Sequence, residues 1–313
     1  MIKTVEQFNE KVAACTACLD EKLKGLDDKR HIVLCGGTGC LSSHSDEIKA
    51  RFEKVLKEKG AEDKATVNLV GCFGFCSQGP FVKIYPEDTL YRLVKIEDVE
   101  EIVEKDILGG EVIERLLYVD PATGQKVAKQ DEINFYKKQR RVALHGCGVI
   151  NPEDIDEALG MGAFQGLRRA LTMTQQEVVD EVLASGLRGR GGGGFPSGRK
   201  WQFALNVKSD EKYVVCNGDE GDPGAFMDRS ILEGNPLAVI EGMVIAGMRS
   251  VHRPVISMSA QSIPSQSDVF VSRSNRQKRS DSSVTTSWAL TSPSAAMYAS
   301  VQAHSYAAKR PLF

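Results

Sequence analysis

Two pairs of cysteines are the residues whose types and spacing point most directly to chemistry. Cys35 and Cys40 have four residues between them, and Cys72 and Cys76 have three. Each pair follows a short apolar run that predicts a buried strand. If these strands are neighbours, the loops that follow them emerge at one edge of the sheet and four thiolates converge. Glycines flank both pairs and let backbone N–H groups approach an anionic metal cluster.

A [2Fe–2S] cluster is the interpretation we favour for these four cysteines. Structural zinc sites use two to four residues between paired ligands, so the spacing leaves zinc open. Free buried cysteines are the other alternative, which two glycine-flanked pairs at strand ends disfavour. His44 is predicted to be a surface residue, because four cysteines already complete a ligand set.

The other four cysteines are assigned to packing or to solvent. Cys15 and Cys18 form a C-x-x-C on a predicted helix, with no second pair close by in the sequence. Cys147 and Cys216 each lie beside apolar runs. We therefore expect free thiols at all four positions.

A glycine-rich loop is the second chemically suggestive feature. Residues 186–194 contain six glycines, with a G-x-G-x-x-G from Gly189 to Gly194. No strand directly precedes it, so it does not fit a dinucleotide fingerprint. Unhindered amides that lead into a helix N-terminus form a nest for a phosphate or a flat ring, and Arg190 and Lys200 add positive charge. A flexible surface loop is disfavoured, because ordering so many glycines costs entropy.

An acidic loop follows the strand predicted at 213–216. Asp219, Glu220 and Asp222 lie within four residues of one another. A solvated turn and a calcium loop are the alternatives to a binding role. An EF-hand needs a carboxylate at its twelfth position, where this chain has Ser230, so calcium is disfavoured.

Hydrophobic periodicity predicts the elements that position these residues. A helix covers 3–24, and strands and helices alternate as β-α-β-β-β-α over 30–118, a small open sheet of thioredoxin-like arrangement. Ser43 and Asp46 have capping-box-like spacing ahead of the first helix of this sheet. Helical segments are predicted near 97–105 and 110–117.

The second half of the chain is predicted to be α/β as well. Thr174 and Glu177 form a capping box at the start of one helix. Another helix begins at Ser197 and leads to the strand at 213–216. Short connections between helices and strand indicate α/β architecture.

Two sets of motifs resemble known families. The C-x4-C and C-x3-C pattern within 30–118 resembles the thioredoxin-like [2Fe–2S] ferredoxins. The strings SGLRGRGGGGFPSGRKW and VVCNGDEGDPGAFMDR, with the segment at 147–154, resemble the flavin- and NADH-binding subunit of respiratory complex I. They look equally like the beta subunits of NAD(P)-reducing and electron-bifurcating hydrogenases. The resemblance covers about 30–252, and the fused N-terminal [2Fe–2S] domain is more typical of hydrogenase and formate dehydrogenase partners.

The resemblance implies roles for individual residues. The FMN phosphate and ribityl chain would be held by Gly189, Arg190, Gly191, Gly192 and Lys200. The flavin would be contacted by Asn217, Asp219 and Glu220. The adenine of NAD(P) would stack on Phe195 and Phe203, with Asp222 and Asp228 lining its approach. The [2Fe–2S] ligands would be Cys35, Cys40, Cys72 and Cys76.

The same resemblance implies a function in electron transfer. Hydride would pass from NAD(P)H to FMN, and electrons would leave singly through iron–sulfur centres to other subunits of a hydrogenase, formate dehydrogenase or complex I-like assembly. No side-chain nucleophile or acid–base pair is required. An isolated [2Fe–2S] electron-transfer module and a redox-inactive truncated subunit are the alternatives.

The last part of the chain has a different composition. Residues 253–313 contain no glycine and 15 serines, whereas all 29 glycines lie at or before Gly247. A shifted reading frame joins the third base of each codon to the first two bases of the next codon. In that frame, the codons of residues 254–264 can encode GYIYVRAEYP and those of residues 302–313 can encode GAFVCGEETAL. Both strings resemble the family's nucleotide-binding motifs. We therefore predict a one-base frameshift near His252 or Arg253, and the family's [4Fe–4S] motif is absent from the sequence as written.

Composition excludes several classes of protein. A net charge of −2 disfavours a nucleic-acid binder, and no apolar run is long enough to span a bilayer. A cytoplasmic location is expected, with reduced cysteines. The predicted organisation is an N-terminal helix at 1–29, the [2Fe–2S] domain at 30–118, a linker at 119–144, part of an FMN- and NAD-binding domain at 145–252 and an out-of-frame, disordered tail at 253–313.

Overall fold

The computed structural model describes residues 2, 4–209, 212–218, 220, 222, 224–250, 254–259, 285–289 and 299–302. Contacts divide the chain into two units. Unit 1 comprises Met1–Ala163 with Glu233–Leu237, and unit 2 comprises Phe164–Leu232 with Ala238–Phe313.

A four-stranded sheet of order β2-β1-β3-β4 forms the centre of unit 1. Its strands are β1 (Arg30–Cys35), β2 (Ala65–Val70), β3 (Val82–Tyr85) and β4 (Thr89–Tyr91). β1 pairs in parallel with β2, with Cys35 opposite Val70, and the remaining pairs are antiparallel. The loops that follow β1 and β2 therefore leave the same edge of the sheet, as predicted.

Five helical segments accompany this sheet. They are α1 (Val5–Lys24), α2 (Thr38–Leu41), α3 (Ser45–Glu58), α4 (Asp98–Glu101) and the π-helical turn Ile102–Ile107 that continues α4. α1 begins where the Thr4 hydroxyl accepts a hydrogen bond from the Gln7 amide, and it ends at Gly25, whose φ is +68°. These elements confirm the predicted β-α-β-β-β-α order.

Two details of this region were predicted wrongly. α3 has His44 at its N-cap in the left-handed conformation and no side-chain cap, so Ser43 and Asp46 do not form a capping box. The Ser43 hydroxyl instead donates to the Gly39 carbonyl. The segment 110–117 contains only the short 3-10 turn Glu114–Leu116, because it packs as a connection back to β4.

Residues 119–144, predicted to be a linker, belong to unit 1. A two-stranded sheet joins β5 (Tyr118–Val119) to β6 (Lys126–Val127), and a short helix α5 (Asn134–Lys137) follows. Ile133 and Tyr136 are buried with Phe73 and Phe81. Although the segment is mostly polar, a few buried apolar side chains pack it against the sheet.

α6 (Ile155–Gly160) completes unit 1 by packing on α1. The Lys22 ammonium lies 2.6 Å from the Glu157 carboxylate. A side chain at Gly160 would collide with the backbone of Cys15, whose carbonyl would be 2.8 Å from an added Cβ. The close helix contact therefore requires glycine there.

Unit 2 is α/β, as predicted. Its described elements include α7 (Gln165–Leu171), α8 (Gln175–Ala184), α9 (Ser197–Asn206), β7 (Lys212–Asn217), most of α10 (Met227–Gly234) and most of α11 (Pro236–Ser250). The capping box of Thr174 and Glu177 is present at the start of α8.

Three further strands lie where a disordered tail was expected. β8 (Pro254–Ser259), β9 (Thr285–Ala289) and β10 (Ala299–Gln302) extend β7 into a sheet of order β10-β9-β8-β7. The rest of 253–313 lies outside the described residues. The frameshift concerns the gene and stays a prediction.

None of the helices in the described part of the chain combines the length and the apolar character that crossing a membrane requires.

Candidate redox sites

The two predicted cysteine loops meet beyond the ends of β1 and β2. The Gly36 amide donates to the Val70 carbonyl over 2.8 Å, which joins the loops at their base. A Cβ added at Gly37 would lie 2.9 Å from the Cβ of Cys72, and one at Gly79 would lie 2.6 Å from the sulfur of Cys40. Glycine at both positions therefore lets the cysteines approach one another.

The sulfur atoms are close enough to share metal ions. The Sγ atoms of Cys72 and Cys76 are 3.9 Å apart, and the Gly74 amide donates to Cys72 Sγ over 3.3 Å. Two thiolates on one tetrahedral ion, each about 2.3 Å from it, would lie about 3.8 Å apart. The Cys35 thiol forms hydrogen bonds with both Cys40 and Cys72, which connects the two pairs.

The environment of the thiols shifts their pKa values and indicates that a bound cation is needed to keep them ionised. The hydrogen bond with Cys40 and burial raise the pKa of Cys35 to about 12. The hydrogen bond with Cys35, together with burial, raises the pKa of Cys72 as well, whereas the bond from Cys35 lowers the pKa of Cys40. Four ionised thiols in this space would repel one another, so a cationic metal group is needed to hold them as thiolates.

The donor set fits two metal ions better than one. The four thiols of the site form two pairs, Cys35 with Cys40 and Cys72 with Cys76. Structural zinc takes four protein ligands on one ion, whereas a [2Fe–2S] cluster takes two thiolates on each iron. The cysteine pairs therefore favour the cluster over zinc.

A segment of the predicted linker lies against the second cysteine loop. The ring of Phe135 stacks on Phe75 with centroids 4.4 Å apart, and the Tyr136 hydroxyl donates to the Phe73 carbonyl over 3.1 Å. The Arg141 guanidinium donates to the Cys72 carbonyl over 3.1 Å. Apart from aromatic residues in a polar stretch, no pattern in the sequence indicated these contacts.

The other cysteines agree with their predicted roles. Cys147 is buried, and its sulfur would lie 2.5 Å from a Cβ added at Gly234, so it fills a packed space. Cys15 is buried, Cys18 is exposed and Cys216 is half-buried. His44 is exposed and pairs with Glu47, which confirms its surface position.

The glycine-rich loop in unit 2 is a closed turn with an open tip. The Gly189 amide donates to the Phe195 carbonyl over 2.8 Å, and the Arg188 side chain donates to the Gly194 carbonyl over 2.6 Å. A Cβ added at Gly191, Gly192 or Gly193 would meet no atom within 4 Å. The tip therefore leaves backbone amides accessible to a ligand.

α9 follows this loop with an uncapped start. Its N-cap is Pro196, which makes no side-chain capping hydrogen bond. The first amides of such a helix favour an anion. Arg190 and Lys200 are exposed, and neither forms an ion pair with another described residue. The arrangement can receive a phosphate, although the individual roles of these residues stay predictions.

The residues predicted to meet the flavin and the nucleotide are distributed over several elements. Phe195 and Phe203 are exposed, with ring centroids 6.4 Å apart and planes tilted by 41°. Asn217 ends β7, and Asp228 lies in the first turn of α10. Asp222 accepts a hydrogen bond from the Gly224 amide. Asp219 lies outside the described residues.

Glu220 has a structural role that sequence reasoning missed. Its carboxylate accepts hydrogen bonds from the amides of Met227, Asp228 and Arg229, at 2.7, 3.1 and 3.4 Å. These amides begin α10 and have no partner within the helix. The predicted contact with flavin is untested, and the same carboxylate already stabilises the start of α10.

Comparisons with known proteins match both halves of the chain. Residues 24–106 match the family described as thioredoxin-like [2Fe-2S] ferredoxin, and residues 182–284 match the Nuo51 FMN-binding domain. The chain carries these two domains in that order. The fold class and the two cofactor classes that were predicted are therefore confirmed at the level of the domains.

Curated relatives match shorter stretches. The NADP-reducing hydrogenase subunit HndC of Solidesulfovibrio fructosivorans is 58% identical over 111 residues, 36% of this chain and 22% of that protein. The mitochondrial NADH-ubiquinone oxidoreductase 51 kDa subunit of Neurospora crassa is 44% identical over 101 residues, 31% of this chain and 20% of that protein. The matched stretches thus span about a fifth of these relatives.

Solved structures include a smaller relative of the ferredoxin domain. The thioredoxin-like [2Fe-2S] ferredoxin from Aquifex aeolicus is 33% identical and covers 28% of this chain and 95% of that one, with a TM-score of 0.27.

Proposed function

We propose that this chain is an electron-transfer subunit that passes electrons between NAD(P)H, FMN and iron–sulfur centres. It would work in a multisubunit NADH dehydrogenase or NAD(P)-reducing hydrogenase. The observation that supports this proposal most strongly is the convergence of Cys35, Cys40, Cys72 and Cys76 in a [2Fe–2S] ferredoxin domain that precedes an FMN-binding domain. When bound, the flavin exchanges hydride with the nicotinamide and the cluster carries single electrons.

The ferredoxin domain contributes ligands and polarity. Four thiols would bind the two irons, and the Gly74 amide, 3.3 Å from Cys72 Sγ, would offset negative charge on sulfur. The FMN-binding domain contributes backbone donors. The open amides at the tip of the glycine-rich loop and the uncapped start of α9 would hold the FMN phosphate.

A [2Fe–2S] module that lacks flavin is the second candidate. It is favoured by the engagement of Glu220 with α10 and by the altered composition after residue 252. The match to the FMN-binding domain reaches residue 284, past the predicted frameshift, so resequencing the gene through codons 252 and 253 is needed to decide that question. An intact frame with unrelated codons would rule the frameshift out.

Cofactor analysis of the purified chain tests the proposal. After anaerobic reconstitution, we expect iron and acid-labile sulfide in equal amounts, together with FMN. Cluster without FMN would support the second candidate, and the absence of both would overturn the proposal. NADH-dependent reduction of an artificial dye tests the enzyme activity directly.

Location and partners are also proposals. We propose a cytoplasmic location without insertion into the membrane and association with other subunits of a hydrogenase, formate dehydrogenase or complex I-like assembly. Nucleic-acid binding is not part of this proposal. The genes that neighbour this one would identify the assembly.

A further inference from the structure

We infer that a basic surface beside the second cysteine loop docks an acidic one-electron carrier protein. This surface, the basic face, consists of the side chains of Lys137, Lys138 and Arg140. The inference rests on the proposed [2Fe–2S] site and deepens it by naming the chemistry of the partner.

The position of the basic face is fixed at both ends by the cysteine loop. On one side, Phe135 stacks on Phe75, the residue before Cys76. On the other side, Arg141 donates to the Cys72 carbonyl over 3.1 Å. The three basic residues lie between these two anchors in the sequence, so their backbone stays near the loop that carries two of the four thiols.

The charges of the basic face are available to a partner. All three side chains are exposed, and none forms an ion pair with another residue that the structure describes. Residues 131–145 contain four basic side chains and two acidic ones, Asp131 and Glu132, which leaves a local charge of +2, although the whole chain has a net charge of −2. The positive charge is therefore local, and it would attract a negatively charged surface.

The unequal exposure of the thiols favours electron exchange with a partner at the second cysteine loop. Cys76 is exposed and Cys72 is half-buried, whereas Cys35 and Cys40 are buried. A partner that contacts the basic face would lie beside the accessible pair. The reduced cluster would lose one electron and an oxidised partner would gain it, with no bond formed or broken.

The occupant should be a protein with carboxylates around its own redox centre. Exposed lysines beside an aromatic residue also suit a phosphate backbone or an anionic lipid. The neighbouring redox ligands favour a redox protein over those alternatives, because neither nucleic acid nor lipid accepts an electron.

Binding of two cytochromes of opposite charge tests the inference. The reconstituted full chain is titrated into a labelled acidic b-type cytochrome or a basic c-type cytochrome, and the dissociation constant is measured at low and high salt. We expect tighter binding of the acidic cytochrome and a loss of affinity with salt. The triple variant K137E/K138E/R140E should bind it at least about tenfold more weakly.

A matched charge change serves as the control. Lys54, Lys57 and Lys64 are exposed and lie near the opposite edge of the sheet, where β2 begins. The variant K54E/K57E/K64E has the same net charge as the first variant and should retain most of the affinity. Equal losses in both variants would overturn the inference, because net charge would then explain them.

A rate measurement separates this inference from the proposed function. The chain is first reduced stoichiometrically, and electron transfer to the acidic cytochrome is followed by stopped flow. A missing cluster would overturn the proposed function and the inference together. An intact, reducible cluster with no salt dependence of binding or rate would overturn the inference alone. The same holds if the basic face binds an RNA oligonucleotide or phosphatidylserine vesicles specifically and does not bind the acidic cytochrome.

Discussion

The guanidinium of Arg141 donates a hydrogen bond to the backbone carbonyl of Cys72 over 3.1 Å. It also donates to the carbonyl of Cys147 over 3.3 Å, so its position is fixed from two sides. A fixed positive charge near the cluster stabilises the reduced state, which carries one more negative charge. Arg141→Gln should therefore lower the midpoint potential by on the order of tens of millivolts. A redox titration followed by electron paramagnetic resonance measures the change.

Arg140→Gln is the control for this substitution. Arg140 is exposed and lies one residue earlier in the chain. Solvent screens its charge more strongly, so its shift should be smaller. Equal shifts in the two variants would show that the hydrogen bonds of Arg141 are unimportant.

The two exposed thiols of unit 1 should behave differently. Cys76 lies 3.9 Å from Cys72, sulfur to sulfur, whereas Cys18 is an exposed residue of α1. Cys76→Ser should remove the native cluster spectrum and lower the iron content, because a ligand is lost. Cys18→Ser should leave both unchanged. Iron analysis and visible absorption compare the variants, and a native spectrum in Cys76→Ser would argue against the proposed ligand set.

Gly191 provides a test of the flavin site. A Cβ there meets no atom within 4 Å, so Gly191→Ala should fold normally. The added methyl group should nevertheless weaken FMN binding, because it would occupy the space through which we propose that the phosphate reaches the backbone amides. Fluorescence titration with FMN measures the affinity.

Gly242→Ala, within α11, is the matched control. Its Cβ is also unobstructed, and alanine favours a helix over glycine by about 1 kcal/mol. The control should be at least as stable as the wild type and should bind FMN normally. Unchanged FMN binding in Gly191→Ala would remove the loop tip from the site.

Glu220→Ala should destabilise unit 2 through the start of α10. Three amides would lose their acceptor, with a cost of about 1 to 2 kcal/mol, as for other helix caps. Urea unfolding measures this loss. Glu181→Ala removes an exposed ion pair with Arg169 and should change stability by less than about 0.5 kcal/mol. Similar stability in the two variants would contradict the capping role.

Asp106 should make stability depend on pH. Its buried carboxylate accepts a hydrogen bond from Tyr91, and burial raises the pKa of Asp106. The protonated form is therefore favoured in the folded state, and this stabilisation is lost as the pH rises through the folded-state pKa. Asp106→Asn has no carboxyl to ionise, so it should gain stability relative to the wild type as the pH rises from 4 to 7.

Thermal unfolding at several pH values measures that difference. Asp63→Asn, at an exposed position, should change stability little at any of them. A difference between Asp106→Asn and the wild type that does not vary with pH would contradict the interpretation.

The sequence predicted that the two cysteine loops would meet, because the signals for this are local. An apolar strand, glycines and a paired spacing all occur within a few residues of Cys35 and of Cys72. The contacts of Arg141 and Tyr136 were not predicted, because each residue lies more than sixty positions along the chain from its partner in the cysteine loop. Only the folded chain shows that a polar stretch crosses the second loop.

The FMN-binding domain was predicted less completely. The capping box before α8 and the helix after the glycine-rich loop were found from short patterns. The acceptor role of Glu220 was missed, because it depends on where α10 begins after an intervening loop. The assigned ligand contacts came from resemblance and stay predictions.

The unequal burial of the cysteine pairs gives the metal site an inner and an outer side. Cys35 and Cys40 are 1% and 2% exposed, whereas water reaches Cys76. An added electron is better solvated near water, so an iron held by Cys72 and Cys76 would be the more readily reduced of the two. Mössbauer spectra would then distinguish two chemically inequivalent irons, and the ferrous one would be the iron nearer to the solvent.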